Sequence, residues 1–298
     1  AWEISSAATL ALVMELSEQN RISSDTYFKF TRDIDLSSGY SDWNGIFIGK
    51  EKNLTFDGNN HTVKINIIRL GLTDNVYNGR MTGSYDDIST VGLFRELLSG
   101  TIKNLSVSGS IKASAIHNFW HDSNGNESYY PGHVTAGGIA AEIYGGTIEN
   151  CNFDGTIDIT NTSIYGQGAT RAGGIAGYVK DSRESVKIIN CKVGSVSSTN
   201  ISASAEDEAF AGGIAGECYV GESSKITGNS AKVTVEEATS KGALFGYIES
   251  EDGVHTKIKG IYVAGDTRQK ILRQLTTAVG DGANAATIAM LEIRNLDN

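Results

Sequence analysis

A short glycine-rich word recurs along the chain and constrains the fold more than any other feature. "VGLFREL" (91–97), "GGIAAEI" (137–143), "GGIAGYV" (173–179), "GGIAGEC" (212–218) and "GALFGYI" (242–248) align without gaps. Each is followed by a second recurring element: "GTIKNLSVSGSI" (100–111), "GTIENCNFDGTI" (146–157), "VKIINCKVGSV" (186–196) and "SKITGNSAKVTV" (224–235), with a weaker copy in "TKIKGIYVAG" (256–265). A third β-prone piece, such as "IDITNTS" or "TNISASA", precedes the next word. Every repeat therefore reads as three short strands divided by turns.

A three-strand repeat without a helix buries its apolar face only by stacking on its neighbours. The expected architecture is a parallel β-helix, one repeat per coil, with coils roughly 4.8 Å apart. Stacking aligns Leu93, Ile139, Ile175, Ile214 and Leu244 in one column. Arg95, Ala141, Gly177, Gly216 and Gly246 form a second column on the same face, and Leu97, Ile143, Val179, Cys218 and Ile248 a third. Glu96, Glu142, Tyr178, Glu217 and Tyr247 alternate with these and are expected to face outward. Glycine suits the sharp corners of such a column, because it lacks a Cβ and tolerates positive φ. Asn104, Asn150, Asn190 and Asn229 are expected to form an amide ladder at a bend, with Cys151 and Cys191 as stacked, buried thiols.

An open stack exposes strand edges and needs covering. Residues 1–24 are expected to supply a cap helix, with apolar Leu10, Val13, Met14 and Leu16 behind serines in "SSAATLALVMELSEQN" (5–20). Residues 25–265 would be the stacked coils and 266–298 a C-terminal cap, together forming one domain.

The segments "YFKFTRDIDLSS" (27–38), "DWNGIFIG" (42–49), "LTFDGNNHTVKINI" (54–67) and "VGLFRELLSGTIKNLSV" (91–107) make the match more specific. In that order they resemble the β-helical GLUG-motif proteins of bacterial surfaces, over roughly residues 1–265. They are also similar to the β-helix region attached to immunoglobulin-A-cleaving metallopeptidases. The resemblance implies an all-β, right-handed parallel β-helix, secreted or held at a bacterial cell surface and adhesin-like, with its signal or anchor outside these residues. Where the family usually has "GGLVG", alanine replaces the valine in three copies. The H-E-x-x-H zinc helix of the peptidases is missing from the sequence, so the resemblance carries no protease activity.

Chemistry is sparse. The nearest approach to a metal motif is "HNFWH", in which His117 and His121 stand at i and i+4, but Asn118 replaces the glutamate that a zinc peptidase needs. No metal or other cofactor is expected. A net charge of −10 and a pI near 5.0 disfavour nucleic acid and anionic membranes as partners. No run of roughly 20 apolar residues is present, so no transmembrane helix is expected. Three cysteines are too few for a disulfide framework.

Recognition is the more promising reading. Long insertions at 69–89, 114–134 and 162–171 fall at the same place in successive repeats, so stacking would bring them to one corner. There they would gather Tyr77, Tyr85, Trp120, His121, Asp122, Tyr129, Tyr130 and Tyr165, with Phe119, Asp74, Asp86 and Asp87 nearby. Aromatic faces beside carboxylates suit sugar stacking or a hot spot for a protein partner. The expected function is thus a non-catalytic solenoid that recognises a glycan or host surface protein. A polysaccharide lyase or hydrolase, using outward glutamates such as Glu96 and Glu142 beside Arg95 and Arg171, is the alternative; a structural spacer is a third. Oligomeric state is left open.

Overall fold

The computed structural model describes residues 1–72, 76–77, 80–81, 90–115, 118–121, 127–130, 133–162, 168–197, 199–206 and 208–248. Strands dominate, arranged mainly in three parallel sheets. The chain visits the sheets in rotation, so each round adds to every sheet beside the previous contribution. In one round it runs through Thr101–Lys103, Ser106–Ala115 and Val134–Ile143; the next runs through Gly146–Glu149, Asn152–Asn161 and the pair Ala169–Gly173 and Ala176–Lys180. Register is kept from round to round, as in Thr55, Thr101, Thr147, Lys187 and Lys225. The expected C-terminal cap, 266–298, and the weak repeat at 256–265 lie outside the described residues.

The interior is filled by apolar residues from all three sheets in every round, as Ile102, Val107, Ile111, Ile139 and Ile143 do in one of them. Phe28 stacks on Phe56 with centroids 4.6 Å apart, and Phe56 meets Phe94 edge-to-face at 5.1 Å. All three are almost completely buried. In the glycine words the N–H of Ile139 donates to the carbonyl of Ile175 at 3.2 Å, Ile175 to Ile214 at 3.1 Å, and Ile214 to Leu244 at 2.7 Å. The first column thus piles as expected, and the three isoleucines are fully buried.

Each glycine word bends the third sheet. The backbone leaves Gly173, turns, and resumes as a strand at Ala176. A Cβ on Gly173 would approach the carbonyl oxygen of Ala176 closer than the 3.0 Å that real Cβ contacts respect, and Gly137 and Gly212 stand in the same way against Ala140 and Ala215. The glycine column of Gly177, Gly216 and Gly246 needs the missing Cβ, as expected, but not positive φ, which none of the three adopts. A Cβ at these positions would run into Ala136, Ala172 and Ala211, backbone of the preceding round, rather than into the apolar centre.

A helix, Ala7–Glu18, begins at Ser6, whose side chain accepts from the N–H of Thr9 while Thr9 returns a bond to the N–H of Ser6. Leu10 and Val13 are buried, and Met14 and Leu16 pack at the margin of the core. No helix among the described residues is long and apolar enough to cross a membrane.

Candidate functional site

Three insertions leave and rejoin the sheets at equivalent points. Ala115 pairs with Leu72 on one side and with Asn161 on the other, so the chain departs from the second sheet at the same level each time. It returns at Thr90, Thr135 and Arg171, again mutual partners. Within the first insertion Val76–Tyr77 pairs antiparallel with Arg80–Met81, placing Tyr77 opposite Arg80. Within the second, Asn118–His121 pairs antiparallel with Glu127–Tyr130: Phe119 stands opposite Tyr129, Trp120 opposite Ser128, His121 opposite Glu127 and Asn118 opposite Tyr130. Tyr85, Asp122 and Tyr165, with Asp74, Asp86 and Asp87, lie outside the described residues.

Beside the return points the third sheet carries a polar and aromatic strip, which includes the glutamate column expected, with Arg95 and Arg171, only as an alternative catalytic site. Glu96, Glu142, Tyr178, Glu217 and Tyr247 do stack in register. The glutamates are nevertheless not solvated: Glu96, Glu142 and Glu217 retain 8%, 6% and 4% exposure. Tyrosines and an arginine surround them. Tyr144 donates its hydroxyl to Glu142 Oε2 at 2.6 Å, and Tyr219 donates to Glu217 Oε1 at 2.7 Å. Arg171 donates from Nε to Glu217 Oε2 and lies over the Tyr178 ring, 4.8 Å from its centroid.

These contacts set the charge states. Burial works against the Arg171 cation, but Glu217 and Glu142 outweigh it and hold its pKa above the ordinary value. Burial pushes the Tyr178 phenol up to about 12; Arg171 pulls the other way, and Glu217 and Glu142 add to the rise. Tyr219 is raised by burial and by its bond to Glu217. The strip therefore holds the neutral phenols of Tyr178 and Tyr219 and the guanidinium donor of Arg171, with carboxyl oxygens of Glu142 and Glu217 accepting hydrogen bonds among them. Such groups can hydrogen-bond and stack on a polar, ring-shaped ligand. A signal for it stood in the sequence: Glu-x-Tyr recurs at 142–144 and 217–219, across the ends of two glycine words.

The first sheet has its own charged cluster. Asp57 accepts from the Tyr27 hydroxyl, from Asn104 Nδ2 at 3.1 Å and from the Asn59 N–H at 2.9 Å, with Lys103 Nζ 3.7 Å away. Burial favours protonation, but these bonds and Lys103 prevail and keep Asp57 below its ordinary pKa. This is a turn anchor, as is His61 Nδ1 against Asp33 at 3.1 Å. Cys151 and Cys191 are both fully buried and lie at equivalent points of adjacent rounds. Among the described residues no group of three or more His, Cys, Asp or Glu is placed to hold a metal ion.

No family model matches the chain. A stretch of 45 residues, 15% of this chain, is 56% identical to the 34.2 kDa protein in the rubredoxin operon of Clostridium pasteurianum and covers 15% of that protein. Another match, over 41 residues, is 58% identical to the thioredoxin reductase of Bacillus subtilis, covering 14% of this chain and 13% of that one. The chain thus spans about one-seventh of the length of these curated relatives. Among solved structures it is similar to a Bacteroides ovatus protein proposed to be an immunoglobulin A1 protease. That likeness has 20% identity and a TM-score of 0.46, over 83% of this chain and 64% of the other.

Proposed function

We propose that the chain winds as a right-handed parallel β-helix of the GLUG-bearing surface type, secreted or displayed on a bacterial cell. Its role is recognition of a glycan or host surface protein, without catalysis, through the insertions at one corner. The observation that carries this reading is the common launch of the insertions from Leu72, Ala115 and Asn161 and their common return at Thr90, Thr135 and Arg171. A rigid scaffold that holds several variable loops side by side is a frequent design for binding. The committed state of Glu142 and Glu217, each already hydrogen-bonded to a tyrosine, suits binding better than acid–base turnover.

The test is a glycan array with a panel of host matrix proteins, probed with the wild type and with W120A and Y129A. Binding that falls at least tenfold in the variants, with unchanged circular dichroism, supports the reading. Absence of binding across both panels overturns it, as does release of reducing or unsaturated ends from a polysaccharide.

A further inference from the structure

The strip on the third sheet offers more than a loop corner. Tyr144, Tyr178, Tyr219 and Tyr247 come from successive rounds, with neighbouring ring centroids 6.0, 6.1 and 5.4 Å apart. All four are half-buried. We propose that this line of tyrosines is a binding track for a neutral glycan chain, which lies along the stacking direction with its sugar rings against the phenols. The proposal rests on the recognition reading above but moves the main contacts from the loops to the sheet.

Three observations converge on it. The rings are held in place before any ligand arrives, since Glu142 and Glu217 fix the hydroxyls of Tyr144 and Tyr219 and Arg171 packs on one face of Tyr178. Such preorganisation lowers the entropic cost of binding, and tyrosine gives a large amphipathic surface with few rotamers to freeze. Polar groups that suit a sugar border the rings: the phenol hydroxyls can accept as well as donate, and the Arg171 guanidinium, whose side chain is 21% exposed, carries several N–H donors. Charge then selects the class. Within the strip Glu142 and Glu217 only balance Arg171 and Lys180, which stands in register with Tyr219, so no net positive charge attracts an acidic sugar; the chain's net charge of −10 repels sulfated, uronate or sialylated glycans and leaves neutral ones. The track is also continuous with the loop corner, because Arg171 pairs with Thr135, the return point of the second insertion.

The experiment titrates neutral oligosaccharides of glucose, N-acetylglucosamine, mannose and galactose, with sulfated and sialylated counterparts, against the full chain by calorimetry. Y178A and Y219A are expected to weaken neutral-oligosaccharide binding at least tenfold while W120A reports the loops separately. Weakening in W120A with Y178A and Y219A unaffected overturns the track and leaves the loop reading standing. Failure of every neutral oligosaccharide to bind, or tighter binding of the acidic counterparts, overturns it too. Hydroxyl-radical footprinting of the wild type needs no variant: a saturating neutral oligosaccharide is expected to protect Tyr178 and Tyr219, and unchanged oxidation of both overturns the proposal.

Discussion

Asn150 donates from Nδ2 to Oδ1 of Asn104 at 3.3 Å, and the two residues share a φ of +52°. Asn60 and Asn190 take the same left-handed conformation one round away on either side, and Gly228 continues it beyond Asn190. The column is a backbone requirement as much as an amide ladder, because asparagine is the side chain that tolerates this region best. Asn150→Ala is expected to lower stability by about 1–2 kcal/mol, and Asn150→Gly by clearly less, in urea unfolding. Equal losses for the two would mean that the amide bonds, not the backbone, set the residue.

Gly173→Ala is expected to be far more damaging than Gly221→Ala. The added methyl at Gly173 meets the Ala176 carbonyl, a backbone atom that cannot step aside, whereas at Gly221 the nearest atom is Asp181 Oδ2 at an ordinary 3.4 Å. Overpacking against backbone should cost about 3 kcal/mol or more, and the surface change about 0.5 kcal/mol or less. Thermal melting of the pair measures the contrast; similar melting temperatures would refute the tight bend.

Cys151, Cys191 and Cys218 are free and fully buried. Burial pushes Cys191 up to about 11 and raises the other two. Only a thiolate reacts with iodoacetamide, so the native protein should resist alkylation at mildly alkaline pH and take up label on all three thiols once denatured. Mass spectrometry of labelled peptides reads this directly. Rapid labelling of Cys191 in the native state would contradict the packing of its stack.

The repeats made the winding legible. Aligning the glycine words placed Ile139, Ile175 and Ile214 on one pile, and the serines before Ala7 marked the helix start. Two errors share a cause, which is that residue counting sees neither neighbouring rounds nor turn conformation. Asn229 looked like the fourth rung of the ladder, but Gly228 holds the left-handed position. Asn229 instead spans the rounds, accepting from the Cys191 N–H at 2.8 Å and donating to the Ile188 carbonyl at 2.8 Å. Glu142 and Glu217 looked solvated by strand alternation, yet Tyr144, Tyr219 and Arg171 close over them. Alternation states which side of a sheet a residue takes, and leaves open what else arrives on that side.

The same closure predicts how the protein responds to alkali. An unfolded tyrosine releases its proton near 10.0, whereas native Tyr178 holds its proton up to about 12. Between those values the unfolded chain binds fewer protons than the native one, so stability falls as pH rises. Below 10.0 the contribution is fully present; it is lost as pH climbs through about 12. Tyr219, also raised, adds to the slope. Urea unfolding of the wild type from pH 9 to 12 should therefore show declining stability, with phenolate absorbance of the raised tyrosines appearing together with loss of structure. Tyr178→Phe keeps the ring under Arg171 and removes the titrating group, so its decline should be shallower, though not absent while Tyr219 remains. Identical slopes for the two proteins would mean that solvent reaches Tyr178 freely, and the strip would then be an open surface rather than a set of fixed, neutral phenols.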